Sequence, residues 1–174
     1  MILDFSRIKN SKNLLAFSGG VDSSALFFLL LNHKIDFDIA IVNYNTREQS
    51  KDEIAYALNL AKEYKKEIFI KDVKLENSSN FEKNARDIRY GFFEQIIKEN
   101  SYETLITAHQ LNDRLEWFLM QLSKGAGLVE LFGIREFEEK KDYKIFRPLL
   151  NVSKDELEEY LKENKIKYFI DSSN

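Results

Sequence analysis

Short apolar runs alternate with longer segments of helical period from one end of the chain to the other. The runs "NLLAF" (13–17), "FDIAIVN" (37–43), "EIFIKDV" (67–73) and "ETLITAH" (103–109) read as buried strands. Amphipathic stretches lie between and after them, over 22–32, 51–65, 80–99 and 112–123. A fifth run, "YKIFRPL" (143–149), precedes "VSKDELEEYLKENKI", where Ser153 and Glu156 have the spacing of a capping box and so open a last helix. A β-α-β-α rhythm of this kind predicts an α/β fold: a doubly wound, mostly parallel five-stranded sheet with helices on both faces. No repeat interrupts it, and only "LENSSN" (75–80) and "EFEEKKDY" (136–143) read as soft, the latter as a solvated turn.

Composition narrows the function classes. At 174 residues the chain suits one domain with a core of its own. Its charges nearly cancel, leaving a formal net charge of −3, which argues against a generic nucleic-acid binder while leaving room for a local basic face. The absence of cysteine excludes disulfides, thiolate metal sites and iron–sulfur clusters within these residues. The N-terminal dozen residues carry charges, and the longest apolar run, "ALFFLLL" (25–31), is far too short to span a bilayer. The expectation is a cytoplasmic protein with no membrane partner. Glycine is scarce, and five of the six glycines fall in two places, "SGG" and "KGAGLVELFG". Both are candidate loops where the backbone turns tightly or approaches a ligand.

The stretch "SGGVDSS" (18–24) joins the first strand to the first helix. A loop of glycines and hydroxyls there turns backbone N–H groups and a helix N-terminus toward a common point, which suits phosphate. Neither the Walker A spacing nor G-x-G-x-x-G is present. Asp22 is the unusual member, because a carboxylate beside phosphates repels them unless a cation such as Mg²⁺ lies between. The competing explanation is plain helix capping by Asp22 or Ser23.

Further along, His109, Asp113 and Glu116 fall on one face if the fourth helix begins near His109, leaving Leu115, Phe118, Leu119 and Leu122 to pack on the sheet. The plainer alternative is a solvated face with Asp113 favouring the helix dipole. Arg86 and Arg89 share a helical face beside Tyr90 and either clamp phosphates or RNA or, for Arg86, pair with Asp87 and Glu94. Arg47 follows a strand end, Lys124 precedes a glycine-rich turn, and His33 has the position of a helix C-terminal cap.

"SGGVDSS" resembles the PP-loop of ATP pyrophosphatases, which cleave ATP to AMP and pyrophosphate and use the adenylate to activate an oxygen. Further stretches are similar to one branch, the tRNA(Ile)-lysidine synthases: "IVNYNTREQSKDE" (41–53), "NARDIRYGFF" (84–93), "TAHQLNDRLEWFLMQLSKGAGLVELFGI" (107–134), "RPLLNVSKDELEEYL" (147–161) and the closing "DSSN". That resemblance implies an adenine nucleotide alpha hydrolase-like fold with ATP and Mg²⁺ as cofactors. It implies ATP contacts at Ser18, Gly19, Gly20, Val21, Asp22, Ser23, Ser24, Asn43 and Arg47. Catalytic roles fall to Asp22, Arg89, His109, Asp113 and Glu116, metal binding to Asp22 and Asp113, and RNA contacts to Arg86, Arg89 and Lys124. The implied partners are tRNA(Ile) with a CAU anticodon and free L-lysine, with a homodimer as one consistent assembly. The chain departs from the family in having Tyr44, Gln110 and Asn112 where histidine, histidine and aspartate are usual, so Asp113 is expected to carry the metal role. It is expected to be the catalytic domain without the C-terminal tRNA-binding region. Three rivals remain: a PP-loop tRNA thiolase, an amidotransferase-type synthetase and a non-catalytic ATP-binding module. The first two are disfavoured by the missing cysteines.

Overall fold

A computed structural model describes residues 3–44, 49–73, 81–125, 127 and 133–170. The expected alternation is present: β1 (Asn13–Ala16), α1 (Val21–Asn32), β2 (Asp38–Asn43), α2 (Gln49–Glu63), β3 (Ile68–Asp72), α3 (Phe81–Asn100), β4 (Thr104–Ile106) and α4 (Leu111–Ser123). Then come β5 (Phe137–Glu139), β6 (Lys144–Phe146) and α5 (Lys154–Glu163). The strands form one sheet in the order β3-β2-β1-β4-β6-β5, parallel everywhere except the β5–β6 edge.

The sheet has six strands, where the pattern predicted five. The additional strand lies in the stretch expected to be a solvated turn. Phe137 stacks on Phe146 with ring centroids 4.2 Å apart, and Glu138 accepts from Arg147 at 2.8 Å. These two cross-strand pairs hold β5 in place, although neither partner is visible within "EFEEKKDY" itself.

Strand alternation divides the core into two layers. Leu15, Ile39, Ile41, Ile106 and Phe146 face α1, α2 and α5. Leu14, Ala40, Leu105 and Ile145 face α3 through Phe93, Ile96 and Ile97. Helix α1 is apolar nearly all round, and Ala25, Leu26, Phe27 and Leu30 have no exposed surface. It is packed between the sheet and α5, as an apolar helix must be. His33 is its C-cap, as expected, and its ring meets the Leu29 carbonyl at 2.8 Å.

The strand order places the site. Connections leaving β1 and β4 run to opposite sides, so a crevice opens between the carboxyl ends of these neighbouring strands. The "SGGVDSS" loop leaves β1 there and "TAHQ" leaves β4. Among the described residues, no helix is long and apolar enough to cross a membrane.

Candidate functional site

The loop after β1 is built to leave the start of α1 open. Gly19 adopts a left-handed conformation (φ +81°), which an L side chain resists. Its carbonyl is held from two sides, by Ser24 Oγ at 3.2 Å and by the Phe169 N–H at 3.0 Å. Gly20 is the N-cap, and among the described residues no side chain caps α1. Ser18 and Ser23 instead bond to each other, with their hydroxyls 3.1 Å apart, and Ser23 donates to the Gly20 carbonyl at 3.3 Å. Capping by Asp22 or Ser23 is therefore not what the motif does. The first-turn N–H groups have no partner within the helix and face the crevice.

Asp22 lies at that opening. One of its oxygens, Oδ1, is buried without a hydrogen-bond partner. Burial first, and then the neighbouring Asp113, push its carboxyl up to about 6, while Lys154 acts in the opposite direction. An orphaned carboxylate oxygen beside a second carboxylate fits a cation. Among the described residues no cluster of three or more His, Cys, Asp or Glu side chains surrounds it. That suits Mg²⁺, which is commonly held by one or two carboxylates together with substrate phosphates.

The loop after β4 brings the second set. His109 precedes α4, which begins at Leu111, so the expected single helical face carrying His109, Asp113 and Glu116 is not formed. Gln110 is the N-cap: its Oε1 accepts from the Asn112 N–H at 2.7 Å, and Asp113 Oδ2 accepts from the Gln110 N–H at 2.8 Å. This reciprocal box turns Asp113 inward. Burial raises its carboxyl pKa, and the Gln110 N–H and Lys154 oppose the rise. His109 Nδ1 meets Thr107 Oγ1 at 2.9 Å. Burial, reinforced by Arg147, Arg86 and Arg89, pulls its imidazole down to about 4. It is therefore neutral near pH 7.

These groups line one cavity of about 440 Å³, within the range of small-molecule sites. Ser18, Gly20, Val21, Asp22, Ser23, Arg89, His109 and Asp113 all reach it. Other expected residues lie elsewhere. Ser24 is buried and braces Gly19. Asn43 donates to Asp72 at 2.7 Å and does not line the cavity, whereas its neighbours Val42 and Tyr44 do. Glu116 is exposed on α4, and Lys124 is the exposed C-cap of that helix. Arg47 lies outside the described residues. Arg86 lies over Tyr90 at 5.0 Å and lines a smaller adjoining cavity of about 250 Å³. It pairs with neither Asp87 nor Glu94 among the described residues; Glu94 accepts from Tyr143 at 3.1 Å.

The sequence reading missed the apolar wall (Phe17, Val42, Phe93, Phe169) and two charged residues of α5, Lys154 and Glu158. A signal for the latter was present. The capping box fixes the start of α5, and a helix that follows a parallel strand begins at the same sheet edge as the β1 loop.

A family model described as PP-loop domain matches residues 2–174. Over 167 residues the chain is 56% identical to the tRNA(Ile)-lysidine synthase of Campylobacter jejuni (strain RM1221), a match covering 96% of this chain and 52% of that protein. For the tRNA(Ile)-lysidine synthase of Helicobacter hepaticus the identity is 53% over 175 residues, covering 98% of this chain and 41% of that one. The chain thus spans about half the length of the curated relatives it matches. Among solved structures, the U34-tRNA thiolase NcsA from Methanococcus maripaludis superposes with a TM-score of 0.81 at 22% identity, over 99% of this chain and 63% of that one. The NH3-dependent NAD synthetase of Campylobacter jejuni gives 0.58 at 18%, over 92% and 68%. At such identities the likeness is one of fold. The uncapped strand–loop–helix, the strand order and the family match over nearly the whole length agree, and the chain belongs to the PP-loop domain family.

Proposed function

We propose that this chain is the ATP-cleaving, base-activating part of a tRNA(Ile)-lysidine synthase, acting in the cytoplasm. The observation that carries the reading is the meeting, in one cavity, of the uncapped α1 N-terminus, the orphaned Asp22 oxygen, neutral His109 and Asp113. The N–H groups of the first α1 turn hold the phosphates of ATP. Asp22 and Asp113 hold Mg²⁺, which when bound neutralises phosphate charge. The C2 oxygen of the wobble cytidine attacks the α-phosphorus, a P–O bond breaks, and pyrophosphate leaves. The ε-amine of L-lysine then attacks C2, and AMP departs with the oxygen. His109, unprotonated near pH 7, is a weak base that accepts a proton only from the strongly acidic nitrogen formed once the amine has attacked. Arg86, Arg89 and Lys124 are candidate contacts to the RNA, and Glu116 to the ammonium of lysine.

The thiolase alternative shares the fold and the activation step. It is disfavoured because this chain has no thiolate to hold a cluster or carry sulfur. The test is pyrophosphate release from ATP that requires tRNA(Ile) and exceeds one equivalent per tRNA-bound enzyme only when lysine is present, measured on this chain and on this chain fused to the C-terminal half of its Campylobacter relative. Release by the fusion is expected. A fusion that binds tRNA but releases no pyrophosphate would overturn the reading.

A further inference from the structure

Helix α5 supplies a cation to the site that the loop motif does not announce. Lys154 is the first residue of α5, directly after the Ser153 N-cap. It is half-buried, lines the main cavity, and acts electrostatically on both Asp22 and Asp113. Among the described residues it makes no ion pair within 4.0 Å, whereas the carboxylate one turn further along its helix, Glu158, is 3.4 Å from Lys162. The cavity's other lysine or arginine among the described residues is Arg89, beside Tyr44 and Tyr90. Lys154 is therefore, among the described residues, the cation at the end where α1 begins.

An anion held on the α1 N-terminus meets three lining carboxylates, Asp22, Asp113 and Glu158. Even with a metal ion on the first two, a phosphate chain needs a further positive group to be held in register. A lysine ammonium suits that use, because it is a compact charge that approaches any phosphate oxygen without a fixed fork geometry. The α5 N-terminus itself is occupied: Ser153 Oγ and the Glu156 carboxylate cap each other's backbone N–H groups at 3.3 and 2.9 Å. The Glu156 carboxylate at that helix end disfavours an anion there, which leaves the Lys154 side chain to meet it.

We propose that Lys154 contacts the β- and γ-phosphates of ATP and stabilises the pyrophosphate leaving group. When the bond from the α-phosphorus to its bridging oxygen breaks, the electron pair stays on the β-phosphate oxygen and the leaving group gains negative charge. Lys154 remains protonated throughout and transfers nothing. This rests on the ATP-cleaving reading of the site, but it adds a residue and divides the cavity, with pyrophosphate toward α5 and the nucleoside toward the Val42–Tyr44 wall.

The test uses the ligand-free protein, titrated calorimetrically with magnesium pyrophosphate and, separately, with AMP. Lys154→Ala should weaken pyrophosphate by about 10- to 100-fold, the range expected for a lost charge-assisted contact, with AMP unchanged within about two-fold. Lys154→Arg should restore most of the pyrophosphate affinity. Equal pyrophosphate affinity in Lys154→Ala and the parent overturns the assignment, as does an equal loss for both ligands. A parent protein that binds neither ligand would overturn the ATP reading itself, a separate failure.

Discussion

The orphaned Oδ1 of Asp22 is the costliest atom of the site, and its cost is legible in its titration. Because its folded carboxyl is raised to about 6, the folded state prefers it protonated. The ionised form therefore works against folding above pH 6 and not at all below about 3.8. Asp22→Asn should stabilise the ligand-free protein near pH 7 by roughly 1–2 kcal/mol after allowance for solvent screening, while abolishing ATP turnover. Urea denaturation checks this, and a loss of stability at pH 7 would contradict it. His109 has the opposite sign. With a folded value of about 4, its unfolded form takes up protons first, so its contribution makes stability rise with pH between about 4 and 6.5. Over about pH 4 to 6 the two groups oppose each other, and the parent should show a shallow dependence there. Asp22→Asn should expose the rising limb and His109→Gln the falling one. Parallel profiles for the two variants would show that these groups do not titrate as the geometry requires.

Helices raise a different question, namely what a periodic pattern specifies. Five of the six strands, the five helices of the described residues and the Ser153–Glu156 capping box were readable, because spacing and cap chemistry are local; β5 and the Gln110–Asp113 box were not. What covers an apolar face is not local. The pattern on α4 assigned Leu115, Phe118, Leu119 and Leu122 to the sheet, yet the leucines are 56%, 53% and 54% exposed. The Gln110–Asp113 box and the bond from Leu111 N–H to Val152 O, at 3.0 Å, fix the rotation of the helix. They turn Asp113, Trp117 and Phe118 toward the protein and the leucine stripe outward. Leu119→Gln should change stability by less than about 0.5 kcal/mol, whereas Leu30→Ala, in the core, should cost about 2–5 kcal/mol. A large loss in Leu119→Gln would show that the stripe is covered. The way helices end was equally hidden. After α1, α2, α3 and α5 the chain turns through Lys34, Lys65, Ser101 and Lys165, with φ between 53° and 58°. The next N–H returns to the helix in each case, as in Ile35 to Leu30 at 3.0 Å and Ile166 to Leu161 at 2.9 Å. Glycine is the usual residue at this position, and its scarcity here concealed the pattern. Glycine at any of the four should stabilise by about 0.5–1 kcal/mol, read as a higher urea midpoint at unchanged slope.

For the molecule as a whole, the site is legible where one segment makes it and obscure where distant segments meet. "SGGVDSS" was readable as an anion loop because it is contiguous. Lys154 and Phe169 were not, because they reach the cavity only after the sheet has ordered its strands and the segment after α5 has bonded to Gly19. A ligand there touches the β1 loop, the β4 loop and α5 together, so its binding free energy becomes stability of the whole domain. Saturation with ATP and Mg²⁺ at about 100 times the dissociation constant should add about 2.7 kcal/mol, or on the order of 5–10 °C in melting temperature for a domain of this size. The metal requirement follows from Asp22. Without Mg²⁺ its carboxylate faces the phosphates directly, so EDTA should remove most of the shift in the parent. In Asp22→Asn one of the three lining carboxylates is neutral, and EDTA should remove a smaller share of the ATP-induced shift than it does in the parent. A parent whose melting temperature responds to ATP equally in EDTA would show that Asp22 and the phosphates share no metal ion, leaving the buried oxygen to be explained by the fold alone.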